Sequence, residues 1–182
     1  MDEFSQNDQA PLRIVEKHLE ASDIHYNILR PNFFMENFSG GFAAGPIKET
    51  GSIFLPASDA KTSFISVKDI AATALKCFTD SSTNGKAYNL TGSEALDHNE
   101  VAAEISRVAG KEVTYTAISD EQMRESLTQM GVPAENIAYL SMLYEIGRAG
   151  YTAPILPDLE SVINRRATTF KQFVEDNRPA WS

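Results

Sequence analysis

The run Tyr26-Asn27-Ile28-Leu29-Arg30-Pro31 constrains the fold more than any other stretch, because a short apolar segment closed by proline reads as a strand whose ladder stops there. Proline has no amide hydrogen to donate, so a new element is expected from Asn32 onward, at the strand's carboxyl end. Just upstream, Pro11 opens an amphipathic helix over 11–22, in which Ile14, Val15, His18 and Leu19 alternate with charged residues. A helix running directly into such a strand is the beginning of an α/β arrangement, where ligands bind at the carboxyl ends of the strands.

The rest of the chain continues that pattern. Residues 33–42 read as a short helix with Gly45-Pro46 as its interruption, and 53–55 and 63–65 read as short strands separated by a polar stretch. Ser66 is placed to cap a helix whose first turn carries Asp69 and whose apolar stripe is Ile70, Ala71, Ala74, Leu75 and Phe78. Asn84-Gly85 is a turn into a strand over 87–90 that ends at Thr91-Gly92. Asp97-x-x-Glu100 has the form of a capping box opening a helix over 101–108, with Gly110 beyond its end and a half-buried strand over 113–118. Ser119-x-x-Gln122 repeats the device for a helix closed by Gly131, Pro133 starts another helix carrying Ile137, Leu140, Leu143, Tyr144 and Ile146, and residues 168–177 form a last capped helix. Strands alternate with helices in the first half and helices dominate the second, which predicts an α/β fold with a helical, substrate-side elaboration.

At 182 residues the chain is expected to form a single domain over 1–182, with residues 1–9 as a polar, mobile lead-in. Sixteen Lys and Arg against 25 Asp and Glu leave a net charge of −9, a field that repels nucleic acid and anionic membranes alike. Cys77 is the only cysteine, which fits a reducing compartment, so a cytoplasmic location is expected. No stretch approaches the ~20 apolar residues of a membrane span. There is no G-x-S-x-G elbow, zinc helix, P-loop or C-x-x-C pair, and the glycine cluster 40–45 lacks the dinucleotide spacing and context, so it reads as a loop or a close-packing element.

Several segments together carry a resemblance: Leu19-Glu20-Ala21-Ser22 through Arg30-Pro31-Asn32-Phe33-Phe34-Met35-Glu36-Asn37-Phe38, then Thr62-Ser63-Phe64-Ile65-Ser66-Val67-Lys68-Asp69-Ile70-Ala71-Ala72, Gly85-Lys86-Ala87-Tyr88-Asn89-Leu90-Thr91-Gly92, and Glu100-Val101-Ala102-Ala103-Glu104-Ile105. They resemble the NmrA-like branch of the atypical short-chain dehydrogenases, which bind NAD(P), over nearly the whole chain. The resemblance implies the carboxyl-terminal part of a Rossmann-like doubly wound sheet with a mainly helical substrate lobe. In that family an amino-terminal half carries the glycine-rich pyrophosphate loop, and its absence here makes the chain look truncated or split. NAD(P) is therefore the expected cofactor, and a complementing Rossmann half or a homo-oligomer the expected partner, with doubtful binding by this chain alone. Losing those strands would expose a parallel edge and the apolar faces that the missing helices cover.

The resemblance also implies that the loop after Arg30-Pro31 borders nicotinamide and substrate. Pro31, Asn32 and Phe33 become cofactor-side candidates, and Phe34, Met35 and Asn37 substrate-side ones; the alternative is that Phe33, Phe34 and Phe38 are core at helical spacing. No Tyr-x-x-x-Lys pair is present, and Leu12 falls where related reductases carry Lys or His, so no catalytic acid or base is assigned. Lys17 reads as solvated, His18, His25 and His98 as surface or packing residues with no metal spacing, Asp59 with Lys61 as a loop ion pair, and Asp69 as helix first-turn charge. Tyr139, Leu140, Met142, Leu143 and Tyr144 form an apolar helix face, either core or pocket wall. The function implied is NAD(P)-dependent reduction of a small carbonyl, quinone or imine; the alternatives are a non-catalytic dinucleotide-sensing regulator or an inactive fragment.

Overall fold

The structure is a computed structural model that describes residues 10–181, so the polar lead-in at residues 1–9 lies outside the described residues. Its elements run α1 (Pro11–Glu20), β1 (Asn27–Pro31), α2 (Ala44–Thr50), β2 (Ser52–Leu55), α3 (Val67–Thr79), β3 (Lys86–Leu90), α4 (His98–Ala109), β4 (Thr114–Ala117), α5 (Asp120–Gln129), α6 (Ala134–Arg148), α7 (Asp158–Ile163) and α8 (Phe170–Asp176). Local chemistry starts and stops these elements as the sequence reading expects. Asp97 and Glu100 form a reciprocal capping box on α4, Ser119 and Gln122 do so on α5, Thr169 caps α8, and Gly110 ends α4 in the left-handed conformation.

β1 pairs with β3 in parallel, Asn27 opposite Lys86 through Pro31 opposite Leu90, while β2 pairs with β4 in a second parallel sheet of two strands. Proline does not cut the first ladder short. The amide of Asn32, one residue on, still donates to Leu90 O at 2.9 Å, because alternate residues of a parallel strand serve alternate edges and Pro31 sits on the other edge.

Two expected elements differ. Residues 33–42 contain only a 3-10 turn at Met35–Phe38, and Gly45-Pro46 lies inside the first turn of α2, where a missing N–H costs no helical bond. Residues 63–65 form no full strand; the segment is held by the single bridges Phe34 to Ile65 and Thr62 to Leu96.

The larger core lies in the helical lobe, where Ile47, Ile53, Val101, Ile105, Phe170, Phe173 and Trp181 surround Phe38 and Phe64. A smaller one joins β3 to α3 and α7 through Leu90, Cys77 and Leu159. The two helices beside β1 reverse the expected faces. α3 buries Asp69, Thr73 and Cys77, while Leu75 and Phe78 of its apolar stripe are 63% and 89% exposed. α1 buries none of its residues, turning Arg13 and Glu16 toward Arg30 of β1 and leaving Leu12, Ile14 and Val15 exposed. The reason is geometric: among the described residues nothing packs over those apolar faces.

One charge assignment changes, while Asp69, in the first turn of α3 as expected, gains long-range partners. Lys61 pairs with Glu100 at 2.9 Å, so its partner is across the fold and not Asp59. Asp69 is wholly buried and accepts from Arg165 Nη2 at 2.6 Å and from the Thr168 amide at 2.7 Å, which clamps α3 to the segment leading into α8. No described helix is long and apolar enough to cross a membrane.

Gly92 is the position with least freedom, since a Cβ there would stand 1.9 Å from Phe64 O. Gly92→Ala is expected to destabilise the chain by roughly 2–4 kcal/mol, whereas Gly40→Ala, with open space around it, should stay within about 0.5 kcal/mol of the parent; urea denaturation of the two variants checks both.

Candidate functional site

Where β1 ends, Asn32 turns its side chain into the protein. Its Nδ2 donates to Ser63 Oγ and to Thr152 O, both at 2.8 Å, and its Oδ1 accepts from the Phe33 amide at 2.9 Å. Thr152 O also accepts from the Ser63 amide at 2.9 Å and from Ser63 Oγ at 3.1 Å, and the Thr62 and Thr152 hydroxyls meet at 2.9 Å. One buried amide thus binds the end of β1 to two distant loops. Both amide hydrogens of Asn32 are thus spent inside the protein, which ties this loop to its neighbours.

The residues after it separate into support and surface. The Phe33 ring lies 5.7 Å from that of Tyr144, and Phe33 O accepts from the Ile65 amide at 2.9 Å. Phe34 projects outward, 37% exposed, and Pro31 is also exposed. Met35 is 1% exposed and belongs to the core. Asn37 is half-buried, its amide donating to Phe34 O and its carbonyl accepting from Ala43 N, each at 3.2 Å. Glu36 accepts from Val67 N and Ser66 Oγ at 3.0 Å, capping α3 with a carboxylate. Phe38 O accepts from Trp181 Nε1 at 2.7 Å. Gly41 closes the turn tightly, since a Cβ there would meet Asn37 Cα at 2.8 Å.

No titratable side chain of this loop is free for proton transfer, because Glu36 is committed to its cap. Burial first, and Tyr115 second, push the Tyr144 phenol up, away from any proton exchange near neutrality. His98 is 4% exposed among Phe38, Phe64 and Tyr115, with Nδ1 unpartnered among the described residues, and its burial lowers the imidazole to about 4, Asp97 opposing weakly. Leu12 is exposed, as are Lys17, His18 and His25. Among the described residues no three His, Cys, Asp or Glu side chains converge as metal ligands. Tyr144 and Leu140 pack into the core, while Tyr139 and Met142 of the same helix remain accessible.

Phe34 stands partly exposed at the carboxyl ends of β1 and β3, the position where ligands bind in open α/β sheets. For the pyrophosphate the described residues offer no glycine-rich turn from strand to helix, and α1 begins at Ala10-Pro11 with no side-chain cap. Two open grooves, of about 260 and 350 Å³, lie elsewhere: both involve Lys76 and α7, and the smaller reaches Lys86 at the amino end of β3.

The strand end at Pro31 stands where the sequence reading put it, while the anchors of the following loop carry no local signal. Thr152 lies 120 residues from Asn32, and no local pattern marks it, although Arg30-Pro31-Asn32 flags the strand end where a buried amide is useful.

The description "NmrA-like family" fits a family model matching residues 13–176. The chain is 32% identical over 171 residues to agroclavine dehydrogenase of Claviceps fusiformis, covering 92% of this chain and 59% of that protein. It is 33% identical over 166 residues to an NAD(P)H azoreductase of Xenophilus azovorans, covering 91% of this chain and 57% of the relative. The solved NADPH-dependent quinone oxidoreductase QOR2 of Escherichia coli superposes with a TM-score of 0.78 at 28% identity, over 90% of this chain and 58% of that one. The chain therefore spans under two thirds of the length of each.

Two outcomes are expected from this geometry. Asn32→Ala should cost roughly 2–4 kcal/mol by leaving Thr152 O and Ser63 short of a buried donor, measured by urea denaturation. For His98 the folded value of about 4 lies below the ordinary 6.5, so the unfolded chain holds more protons between them and stability falls as pH drops through that window. The loss should reach roughly 3 kcal/mol, and denaturation midpoints measured from pH 7.5 to 4 should show that slope in the parent and lack it in His98→Leu.

Proposed function

We propose, for a chain that belongs to the NmrA-like family, that it is the substrate-side part of an NAD(P)-dependent oxidoreductase acting on a small conjugated acceptor such as a quinone, a carbonyl or an imine. In this reading residues 1–182 are an incomplete domain, and a dinucleotide-binding half supplies the pyrophosphate site. One observation carries the proposal: a loop at the carboxyl ends of β1 and β3 is held rigidly by Asn32 while Phe34 stays uncovered. The NAD(P)H azoreductase and the NADPH-dependent quinone oxidoreductase among the similar proteins support both the cofactor and the acceptor class.

When bound, NAD(P)H supplies the hydride. The chain's own residues do the rest. Pro31 and Phe33 shape the cofactor side of the wall, with Phe33 fixed by its amide bond to Asn32 and its contact with Tyr144. Phe34 excludes water from the reacting face, Asn37 orients a polar substituent of the substrate, and Met35 and Asn32 keep the loop in place. With Glu36 spent as a cap and Leu12 unable to exchange a proton, the reading favours acceptors whose reduced form takes its proton from water, as reduced quinones and imines do. A reducing cytoplasmic setting agrees with such chemistry and with the single buried thiol, Cys77.

The same Leu12 supports a second reading, a dinucleotide-sensing regulator without turnover. Calorimetric titration with NADPH, of the chain alone and mixed with the segment of the azoreductase relative that it does not span, tests both. Binding is expected only in the mixture, followed by NADPH consumption with a quinone and azo-dye panel that drops about tenfold in kcat/KM for Phe34→Ala. Binding without consumption would move the assignment to the regulator, and no binding in either sample would sink the cofactor reading.

A further inference from the structure

We infer that the Tyr144 phenol donates the hydrogen bond that holds the reacting oxygen or nitrogen of the acceptor, an assignment that rests on the reading above of an oxidoreductase for small conjugated acceptors. It supplies from α6 a donor that the loop after β1 has already spent.

Three tyrosines pack in the two cores or against them, and two of their hydroxyls are used by the protein. Tyr88 donates to Thr83 O at 3.3 Å and Tyr115 to Leu55 O at 3.0 Å. Tyr144 is 4% exposed, and its hydroxyl bonds no described residue. Yet the oxygen is not sealed in. The buried side-chain atoms without a partner among the described residues are Arg13 Nε, Asn27 Oδ1, Ser93 Oγ and His98 Nδ1; the Tyr144 oxygen is not one of them, so it opens on solvent. Burial still raises the phenol, which makes the opening narrow and deep. The ring is therefore core, and its polar tip is the floor of a crevice.

That crevice borders the candidate loop. The Tyr144 ring lies 5.7 Å from the ring of Phe33, the second residue beyond β1, at an interplanar angle of 41°. Both rings are tied to one anchor. Asn32 fixes the Phe33 amide and donates to Thr152 O at 2.8 Å, while the end of α6 packs on the same threonine: a Cβ on Gly147 would stand 3.6 Å from Thr152 Oγ1. The neighbouring donors are committed. Ser63 Oγ donates to Pro154 O at 2.9 Å and Ser66 Oγ to Glu36 at 3.0 Å, and Arg148, at the end of α6, is bonded to Pro56 O and, at 2.8 Å, to Asp120.

An uncharged phenol selects its ligand. It offers one proton to a lone pair on a neutral oxygen or nitrogen, and with Arg148 spent that residue holds no carboxylate beside it. When a hydride adds to a quinone, an electron pair moves onto the carbonyl oxygen, where the Tyr144 O–H meets the growing negative charge; water then supplies the proton that completes the hydroquinone. The hydrogen bond strengthens as that charge develops, so it favours the transition state over the bound quinone. Because burial raises the phenol, it donates the bond and keeps its own proton. A cationic dye such as crystal violet behaves differently: its central carbon takes a hydride, loses its positive charge and needs neither a proton nor a donor.

Two readouts test the donor, one of them free of turnover. In the first, 3-fluorotyrosine is placed at position 144 of the full chain, and its fluorine resonance is followed during titration with menadione, for the chain alone and mixed with the segment of the azoreductase relative that it does not span. A saturable shift is expected, with none from the same label at the exposed Tyr139. In the second, the mixture reduces menadione and crystal violet with NADPH, and Tyr144→Phe should lower the ratio of the two kcat values roughly a hundredfold while leaving the urea midpoint unchanged, since the lost hydroxyl has no partner among the described residues. A lost ring contact would slow both acceptors together. No shift at 144 in either sample, a ratio unaltered by Tyr144→Phe, or a lowered urea midpoint overturns the donor. NADPH binding is scored separately: consumption with an unaltered ratio defeats the donor and leaves the oxidoreductase reading, while a shift at 144 without NADPH binding does the reverse.

Discussion

The side-chain amide of Asn32 accepts from one neighbour and donates to two groups far away in sequence, and the position of the whole candidate loop follows from it. A buried amide that loses any of these partners pays the full cost of desolvation, so the three segments it joins are stable only together. Phe33 and Phe34 inherit their directions from that junction, and Glu36 and Phe38 fix the far side through α3 and Trp181. Rigidity in the loop is therefore assembled from hydrogen bonds to distant backbone, while Phe34 and Phe42 stay partly exposed.

The helices beside β1 show the opposite condition. α3 and α1 are amphipathic by sequence, yet Leu75 and Phe78 of α3 and Leu12, Ile14 and Val15 of α1 face outward while bonded polar residues turn inward. Asp69 explains α3: its carboxylate is anchored by Arg165 and the Thr168 amide, which fixes the helix's rotation and leaves Leu75 and Phe78 outward. The Arg13, Glu16, Glu20 and Arg30 network has the same effect on α1. Ion pairs of this exposure contribute modestly to stability, but they are sufficient to set orientation where no apolar neighbour competes.

Local signals were the most legible part. The boxes Asp97-Glu100 and Ser119-Gln122, the cap Thr169 and the turn at Gly110 act over three or four residues, so sequence alone carries their physics. Where proline's effect depended on surroundings, the outcome changed: Pro46 sits inside a helix's first turn, and Pro31 leaves the ladder to Asn32. The strand end at Pro31 was likewise legible, but the burial of Met35 and the long-range partners of Asn32 are not written locally. Asp69 and Lys61 found partners 96 and 39 residues away, beyond any pattern of neighbours.

The sequence by itself determined the caps that open α3, α4 and α5 and the strand end at Pro31, since each depends on dihedral preferences and hydrogen bonds within a few residues. Tertiary structure alone decided which amide is spent, which phenylalanine is exposed, which helix faces remain open and which sheet edge is closed by Asp158. Those outcomes depend on what arrives from elsewhere in the chain to satisfy a donor or cover an apolar surface, and that information is held in contacts, not in neighbours.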